Sequence, residues 1–294
     1  MSTHTFPELG ISPELLEAVK SLGFEQPSPI QAEAIPVALT GRDVVGQSQT
    51  GSGKTMAFGI PVVQGVDGTK RAVQALILCP TRELAMQVCA EIHKLASFKE
   101  GVRATPVYGG ASYDRQIRAL QSGSQIVVGT PGRILDFMER GLLKFDALKT
   151  LVFDEADEML SLGFKKQLAE ILKLTSNKRS TWLFSATFPE AINQLIKGYM
   201  SAEAHTIQID QGHVVNRDID HRFVICKRVD KTEFITNFLK RQKEARGLIF
   251  CRTREGAVTL GKELSALGLS VDVLQGDLMQ KERDKVMRAF KKER

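Results

Sequence analysis

The stretch Asp43-Val44-Val45-Gly46-Gln47-Ser48-Gln49-Thr50-Gly51-Ser52-Gly53-Lys54-Thr55 decides how the rest of the chain is read. It opens on a short β-prone apolar run at 43–46, turns through small residues, and enters a helix beginning near Lys54. The small residues have a physical purpose. Glycines let the backbone curl until successive N–H groups point inward, and the helix N-terminus adds partial positive charge, so the turn becomes a cradle for phosphate oxygens. Ser48, Gln49, Thr50, Gly51, Ser52 and Gly53 would line that cradle. Lys54 would reach the β- and γ-phosphates of a nucleotide, and the Thr55 hydroxyl would ligate Mg²⁺. The generic pattern has glycine where Ser48 stands, a departure of one residue.

A second motif, Asp154-Glu155-Ala156-Asp157, directly follows the apolar run Leu151-Val152-Phe153. A carboxylate at the C-terminal end of a neighbouring strand lies where a parallel sheet opens its ligand crevice. Asp154 is suited to hold Mg²⁺, directly or through water, and Glu155 to orient or deprotonate an attacking water. Acid-rich tetrapeptides are common on solvated helix starts, but paired with a phosphate loop this one implies nucleotide hydrolysis.

Outward from these motifs, short apolar runs alternate with amphipathic segments. Strands are predicted at 43–46, 74–79, 104–108, 125–129, 149–153, 180–184 and 205–209. In 82–98 the apolar residues Leu84, Val88, Ile92 and Leu95 mark one helix face. In 189–200, Pro189 is placed at the first helical position, with Ile192, Leu195 and Ile196 on one side. Strands that are apolar throughout and separated by helices indicate a parallel sheet covered on both faces, a doubly wound α/β domain. The pattern lapses at 210–217, which places a first domain at 1–210, a linker at 211–217 and a second domain at 218–294. The second is predicted to alternate strand 221–226, helix 230–242, strand 247–251, helix 254–267, strand 270–274 and helix 280–292. Three strands make a partial sheet.

Composition is that of an ordinary soluble chain, with 43% hydrophobic and 25% charged residues. No run approaches the roughly 18 apolar residues of a membrane span. Met1-Ser2-Thr3-His4-Thr5 carries no basic-then-apolar export signal, so an intracellular, cytoplasmic protein is expected. Cys79, Cys89, Cys226 and Cys251 are far apart and form no CxxC pair, which suggests neither zinc nor a disulfide frame. The net charge of +6 is unevenly placed. Residues 1–216 hold 21 Lys/Arg against 22 Asp/Glu, whereas 217–294 hold 19 against 12. That excess suits a polyanion, and equally a solvated basic face.

In order along the chain, these motifs resemble those of the DEAD-box RNA helicases. The DEAD tetrapeptide is verbatim at 154–157. Gly23-Phe24-Glu25-Gln26-Pro27-Ser28-Pro29-Ile30-Gln31 resembles the Q motif, with Phe6 as its isolated upstream aromatic. The resemblance implies that Gln31 bonds adenine and Phe24 packs on its ring; a side-chain amide carries the donor and acceptor that adenine's N6 and N7 require. Pro80-Thr81-Arg82-Glu83-Leu84-Ala85 matches motif Ia, Gly109-Gly110 the glycine doublet, and Thr130-Pro131-Gly132-Arg133 motif Ib. Each opens a helix or turn after a strand and suits the sugar-phosphate backbone better than base edges. Ser185-Ala186-Thr187 matches motif III, which by resemblance bonds back to Asp157 and couples hydrolysis to duplex opening. Leu248-Ile249-Phe250-Cys251-Arg252-Thr253 resembles motif IV. Gln275-Gly276-Asp277-Leu278, with Gln280 and Arg283 after it, resembles the following block, although Gln275 stands where the family usually has histidine. Arg252, Thr253, Gln280 and Arg283 are the candidate RNA contacts of this second part.

The resemblance implies two RecA-like domains, ATP and Mg²⁺ as cofactors, RNA as partner with little sequence preference, and ATP hydrolysis coupled to local duplex unwinding. It covers Phe6 to Phe290. Motifs V and VI would lie beyond Arg294, so the expectation is a C-terminally truncated core with weak activity alone. A DNA motor with a phosphate loop, or a non-catalytic ATP- or RNA-binding fragment, are the alternatives; the Q motif argues against the first, and turnover decides the second.

Overall fold

The computed structural model describes residues 4–49, 51–175, 179–209, 219–227, 231–242 and 246–292. The expected linker at 211–217, and Thr50 of the phosphate loop, lie outside the described residues. The chain divides into two compact units, Met1–Val214 and Val215–Arg294.

The first unit carries the seven strands where periodicity places them: β1 Val44–Gln47, β2 Ala75–Leu78, β3 Ala104–Val107, β4 Ile126–Gly129, β5 Thr150–Asp154, β6 Ser180–Ser185 and β7 His205–Gln208. They form one sheet in the order β3-β4-β2-β5-β6-β1-β7, with every pairing parallel. Among the described residues nine α-helices connect and cover the strands: α1 Pro13–Ser21, α2 Pro29–Leu39, α3 Lys54–Gly65, α4 Arg82–Leu95, α5 Tyr113–Gln121, α6 Pro131–Glu139, α7 Ala156–Ser161, α8 Lys165–Leu174 and α9 Glu190–Tyr199.

The alternation of Cβ direction along a strand divides the apolar residues between two cores. Ala75, Ile77, Val128, Val152 and Trp182 face one layer, with Leu15, Ile35, Phe58 and Ile92 of α1 to α4. Leu76, Leu78, Val127, Phe153 and Leu183 face the other, with Phe137, Leu168 and Ile192 of α6, α8 and α9. Both faces are dry around the central strands, which is why β2 and β4 are buried at every position, whereas the edge strand β7 buries only Ile207. Pro189 is the N-cap of α9, in extended conformation, rather than its first helical residue. The shift is one position and leaves the proline's missing N–H harmless in either place.

The second unit contains α10 Lys231–Arg241, α11 Arg254–Ala266 and α12 Gln280–Lys291, each within a residue or two of its predicted span. The predicted strands 221–226, 247–251 and 270–274 are a correction: none of these segments is paired as a strand among the described residues. A strand is a property of a pair, since its N–H and C=O groups must meet those of a neighbour. Phe223, Ile225 and Phe250 are 87%, 92% and 93% exposed, so the apolar pattern that suggested buried strands is not buried here.

Candidate functional site

The carboxyl ends of the strands gather the motifs on one edge, and the strand order sorts them. β5, β6 and β1 are adjacent and carry Asp154, Ser185 and the loop from Ser48. β3, β4 and β2 form the other half, and after them come Gly109-Gly110, Thr130 and Pro80-Thr81.

The phosphate loop is held in shape by its own side chains. Lys54 is buried and donates from Nζ to the Ser48 carbonyl at 2.7 Å, and Ser52 Oγ donates to Ser48 Oγ at 2.8 Å. The serine in place of the generic glycine is therefore a brace. Burial pulls the Lys54 ammonium pKa down, while Asp154, Glu155 and Asp157 push it back up. Gly53 caps α3 in the left-handed conformation at φ 94°. Thr55 follows in the first turn, half-buried.

Gln31 sits against this loop, 3% exposed. Its Oε1 accepts from the Ser28 backbone N–H at 3.0 Å, closing a capping box on α2, and its Nε2 donates to the Gly53 carbonyl at 3.1 Å. Ser28 Oγ also donates to the Ser52 carbonyl at 2.8 Å. Sequence reasoning gave Gln31 an adenine role and missed this one, and it missed Ser28 entirely. The signal was legible: Ser28-Pro29-Ile30-Gln31 has the Ser-x-x-Gln spacing of a capping box. Phe24 is 42% exposed and open to a stacking partner, whereas Phe6 is 4% exposed in the core. The Phe6 ring packs with the α1–α4 layer, on the short 3₁₀ turn Phe6–Leu9.

The acidic motif is held by strain and burial. Glu155 is the one non-glycine with positive φ among the described residues, at 53°, where it caps α7. Such a conformation costs on the order of 1–2 kcal/mol in a residue with a Cβ. Burial first, then the neighbouring Glu155 charge, push the Asp154 carboxyl up to about 7, against the opposing pull of Lys54. Glu155 is also raised, chiefly by burial. Burial pushes Asp157 upward too, but hydrogen bonds outweigh it and leave the group below its ordinary value. Thr187 donates to Asp157 Oδ2 from its backbone N–H at 2.9 Å and from Oγ1 at 2.7 Å. Ser185 Oγ accepts from the Asp157 N–H at 3.2 Å and donates to the Thr187 carbonyl at 2.8 Å. Motif III and the last acid of DEAD thus form one closed network.

On the other half, Thr81 caps α4, accepting at Oγ1 from Leu84 N–H at 3.2 Å, and Pro80 is buried beneath it. Arg82 lies over Gly110, close enough that a Cβ there would collide with its guanidinium. Thr130 caps α6 and is 7% exposed, while Gly132 and Gly110 are exposed. Arg133 is drawn inward: Nη1 donates to the Ala111 carbonyl at 3.4 Å, and its side chain is 9% exposed. Tyr113 and Asp136, which the sequence did not single out, surround it.

In the second unit Thr253 caps α11, accepting from Gly256 N–H at 3.0 Å, beside the exposed Arg252. Gln280 Nε2 donates to Asp284 Oδ1 at 2.9 Å, and Arg283 Nη1 to the Gln275 carbonyl at 3.2 Å. Gln275 Oε1 accepts from Asp277 N–H at 2.6 Å, so the residue that departs from the family's histidine holds its own turn.

A parallel sheet with a glycine-rich loop after β1, paired acids after β5 and turns bearing Thr81, Gly109-Gly110 and Thr130 after β2, β3 and β4 defines a RecA-like core. The sequence profile described as DEAD/DEAH box helicase matches residues 28–195, and that of the helicase conserved C-terminal domain matches 230–294; the chain belongs to the DEAD-box helicase family. Among curated proteins it is 41% identical over 287 residues to the DEAD-box ATP-dependent RNA helicase CshA of Geobacillus kaustophilus, covering 98% of this chain and 61% of that protein. It is 42% identical to the ATP-dependent RNA helicase CshA of Limosilactobacillus reuteri, covering 97% of this chain and 57% of the relative. The chain thus spans about six tenths of the length of such relatives. Among solved structures, Dbp5 of S. cerevisiae bound to RNA and ADP BeF3 superposes with a TM-score of 0.90 at 32% identity, over 98% of this chain and 73% of that one. A DEAD box protein from Methanococcus jannaschii matches at 38% identity with a TM-score of 0.68, over 98% and 77% of the two chains. Among the described residues no helix is long and apolar enough to cross a membrane.

Proposed function

We propose that this chain carries the core of an ATP-dependent RNA helicase, in which RNA-stimulated ATP hydrolysis drives local opening of RNA duplexes. The supporting observation is the sorting of motifs along one sheet edge, with the Asp157–Ser185–Thr187 network within the nucleotide half. A change at the γ-phosphate felt by Glu155 passes to Asp157 two residues away, and from there to Thr187.

The ATP phosphates would lie in the loop from Ser48 to Thr55, with Lys54 facing them. Gln31 can still read the base. One amide N–H goes to Gly53 and one lone pair to Ser28, which leaves one donor and one acceptor, the complement of adenine's N7 and N6. Base recognition and phosphate-loop shape then share one side chain. The residues fit Mg²⁺: Asp154 is a buried carboxylate whose charge Lys54 only partly offsets, and Thr55 offers a hydroxyl in the first turn of α3. Among the described residues no cluster of three His, Cys, Asp or Glu could hold a metal unaided, which matches an ion that relies on substrate phosphates. When bound, Mg²⁺ would neutralise charge developing on the transferred phosphoryl group. Glu155, its pKa raised above the ordinary carboxylate value chiefly by burial, would take the proton of the attacking water. RNA would be gripped through phosphates and 2′-hydroxyls, giving little sequence preference.

The test is ATP turnover with and without single-stranded RNA, beside DNA of the same sequence. Stimulation by RNA alone is expected, with Glu155→Gln binding ATP and RNA but not turning over. Equal stimulation by DNA, or near-parent turnover in Glu155→Gln, would refute the reading.

A further inference from the structure

The loop Gly109 to Tyr113, which follows β3, is gripped from two helices. From the start of α4, the Arg82 guanidinium lies on Gly110, where φ is +81°, a conformation that favours glycine, and where a Cβ would push the guanidinium away. From the first turn of α6, Arg133 donates to the Ala111 carbonyl at 3.4 Å and places its guanidinium 4.0 Å from the centroid of the Tyr113 ring and 5.5 Å from that of Phe137. Asp136 closes the cluster. It accepts from the Tyr113 hydroxyl and from Arg140 Nε at 2.6 Å, and it faces Arg133 Nε at 3.8 Å. The Arg140 guanidinium in turn lies 5.3 Å from the Tyr113 ring.

A phosphate ligand presents its guanidinium outward, whereas the Arg133 side chain is 9% exposed and committed to a ring, a carbonyl and a carboxylate. Arg82, one helix over, is half-buried and rests on the exposed Gly110. We infer that Arg133 and Tyr113 are positioning residues for RNA binding. Together they clamp the loop so that the Gly109-Gly110 backbone faces the strand, while the charged contact to phosphate belongs to Arg82. This rests on the RNA-binding reading above and changes the assignment of Arg133 within it. Tyr113 acts twice, through its ring on Arg133 and through its hydroxyl on Asp136.

The test is a salt titration of the affinity for a short labelled oligouridylate, on the full chain. Each neutralised phosphate contributes about −0.7 to the slope of log K against log salt. Arg82→Ala should flatten the slope by about that amount. Arg133→Ala and Tyr113→Ala should each weaken binding about ten-fold, the effect of losing one stacked cation and its hydrogen bond, while keeping the parent slope. The double variant should be no weaker than the weaker single, because both break the same clamp. Arg133→Lys should bind as poorly as Arg133→Ala, since an ammonium keeps the charge but neither the planar stack nor the fork, and Tyr113→Phe should recover most of the affinity. These two milder substitutions decide the matter if an alanine variant does not fold. A flattened slope in Arg133→Ala, full affinity in Arg133→Lys or Tyr113→Ala, or additive losses would overturn the positioning role. If Arg82→Ala changes neither affinity nor slope, the RNA reading of this edge fails, which is a separate outcome.

Discussion

Substituting Gly53 by alanine asks whether the Q motif and the phosphate loop are one mechanical unit. Two costs are foreseen. Holding a residue with a Cβ at φ 94° costs roughly 1–2 kcal/mol. The new Cβ would also collide with Gln31 Nε2 and lie 2.9 Å from Ser28 Oγ. Gln31 can retreat only by giving up its bonds to Gly53 and Ser28, at about 1 kcal/mol each. Gly53→Ala should thus cost roughly 3–4 kcal/mol, and Gln31→Ala about 2, from the same two bonds. In the double variant the collision with Gln31 is gone and only the yielding Ser28 hydroxyl remains close, so the total should stay near 3–4 kcal/mol rather than the 5–6 of a simple sum, a coupling of about −2. Trp182 is the chain's single tryptophan and lies in β6 paired with β1, donating from Nε1 to the Arg42 carbonyl at 3.0 Å. Its fluorescence in urea therefore reports the unfolding of this sheet. Additivity within about 0.5 kcal/mol would show that Gln31 does not brace the loop, and the argument for a shared side chain would fall.

Three further outcomes are expected. Because the Asp154 pKa is raised from 3.8 to about 7, the folded chain holds a proton that the unfolded chain has lost across that window, so stability falls as pH rises. Without nucleotide or Mg²⁺, the parent should lose on the order of 2–3 kcal/mol relative to Asp154→Asn between pH 5 and 8; parallel curves in urea would refute the buried-charge account. Glu155→Gly relieves the positive φ and should gain up to about 1 kcal/mol in urea while abolishing turnover, and a loss of stability would show that the conformation is not strained. Thr187→Val removes the 2.7 Å bond to Asp157 and should cost about 1.5–3 kcal/mol, with RNA-stimulated turnover falling further than nucleotide affinity; an unchanged stimulation ratio would dissociate this network from coupling.

The central strands of the first unit were legible because β2, β4 and β5 carry apolar runs bounded by turns, a local property that burial on both faces imposes. The phosphate loop was legible for the same reason: glycine and small residues before a helix are demanded by backbone geometry within a few residues. Neither the roles of Gln31 and Arg133 nor the place of Phe6 is local. Whether an amide also reaches the Gly53 carbonyl, whether a guanidinium stacks inward on Tyr113, and whether an aromatic ring finds the core depend on residues 20 or more positions away, brought near by the sheet. The same holds for the second unit, where apolar runs predicted strands but a strand needs a partner that the run cannot specify. Sequence alone determined the motifs, their order and the class of chemistry, because spacing along the chain encodes them. Only the tertiary structure decided that β5, β6 and β1 stand together and apart from β3, β4 and β2, since strand order is set by right-handed crossovers and core packing. That order turns an interleaved string of motifs into two adjacent half-sites on one edge.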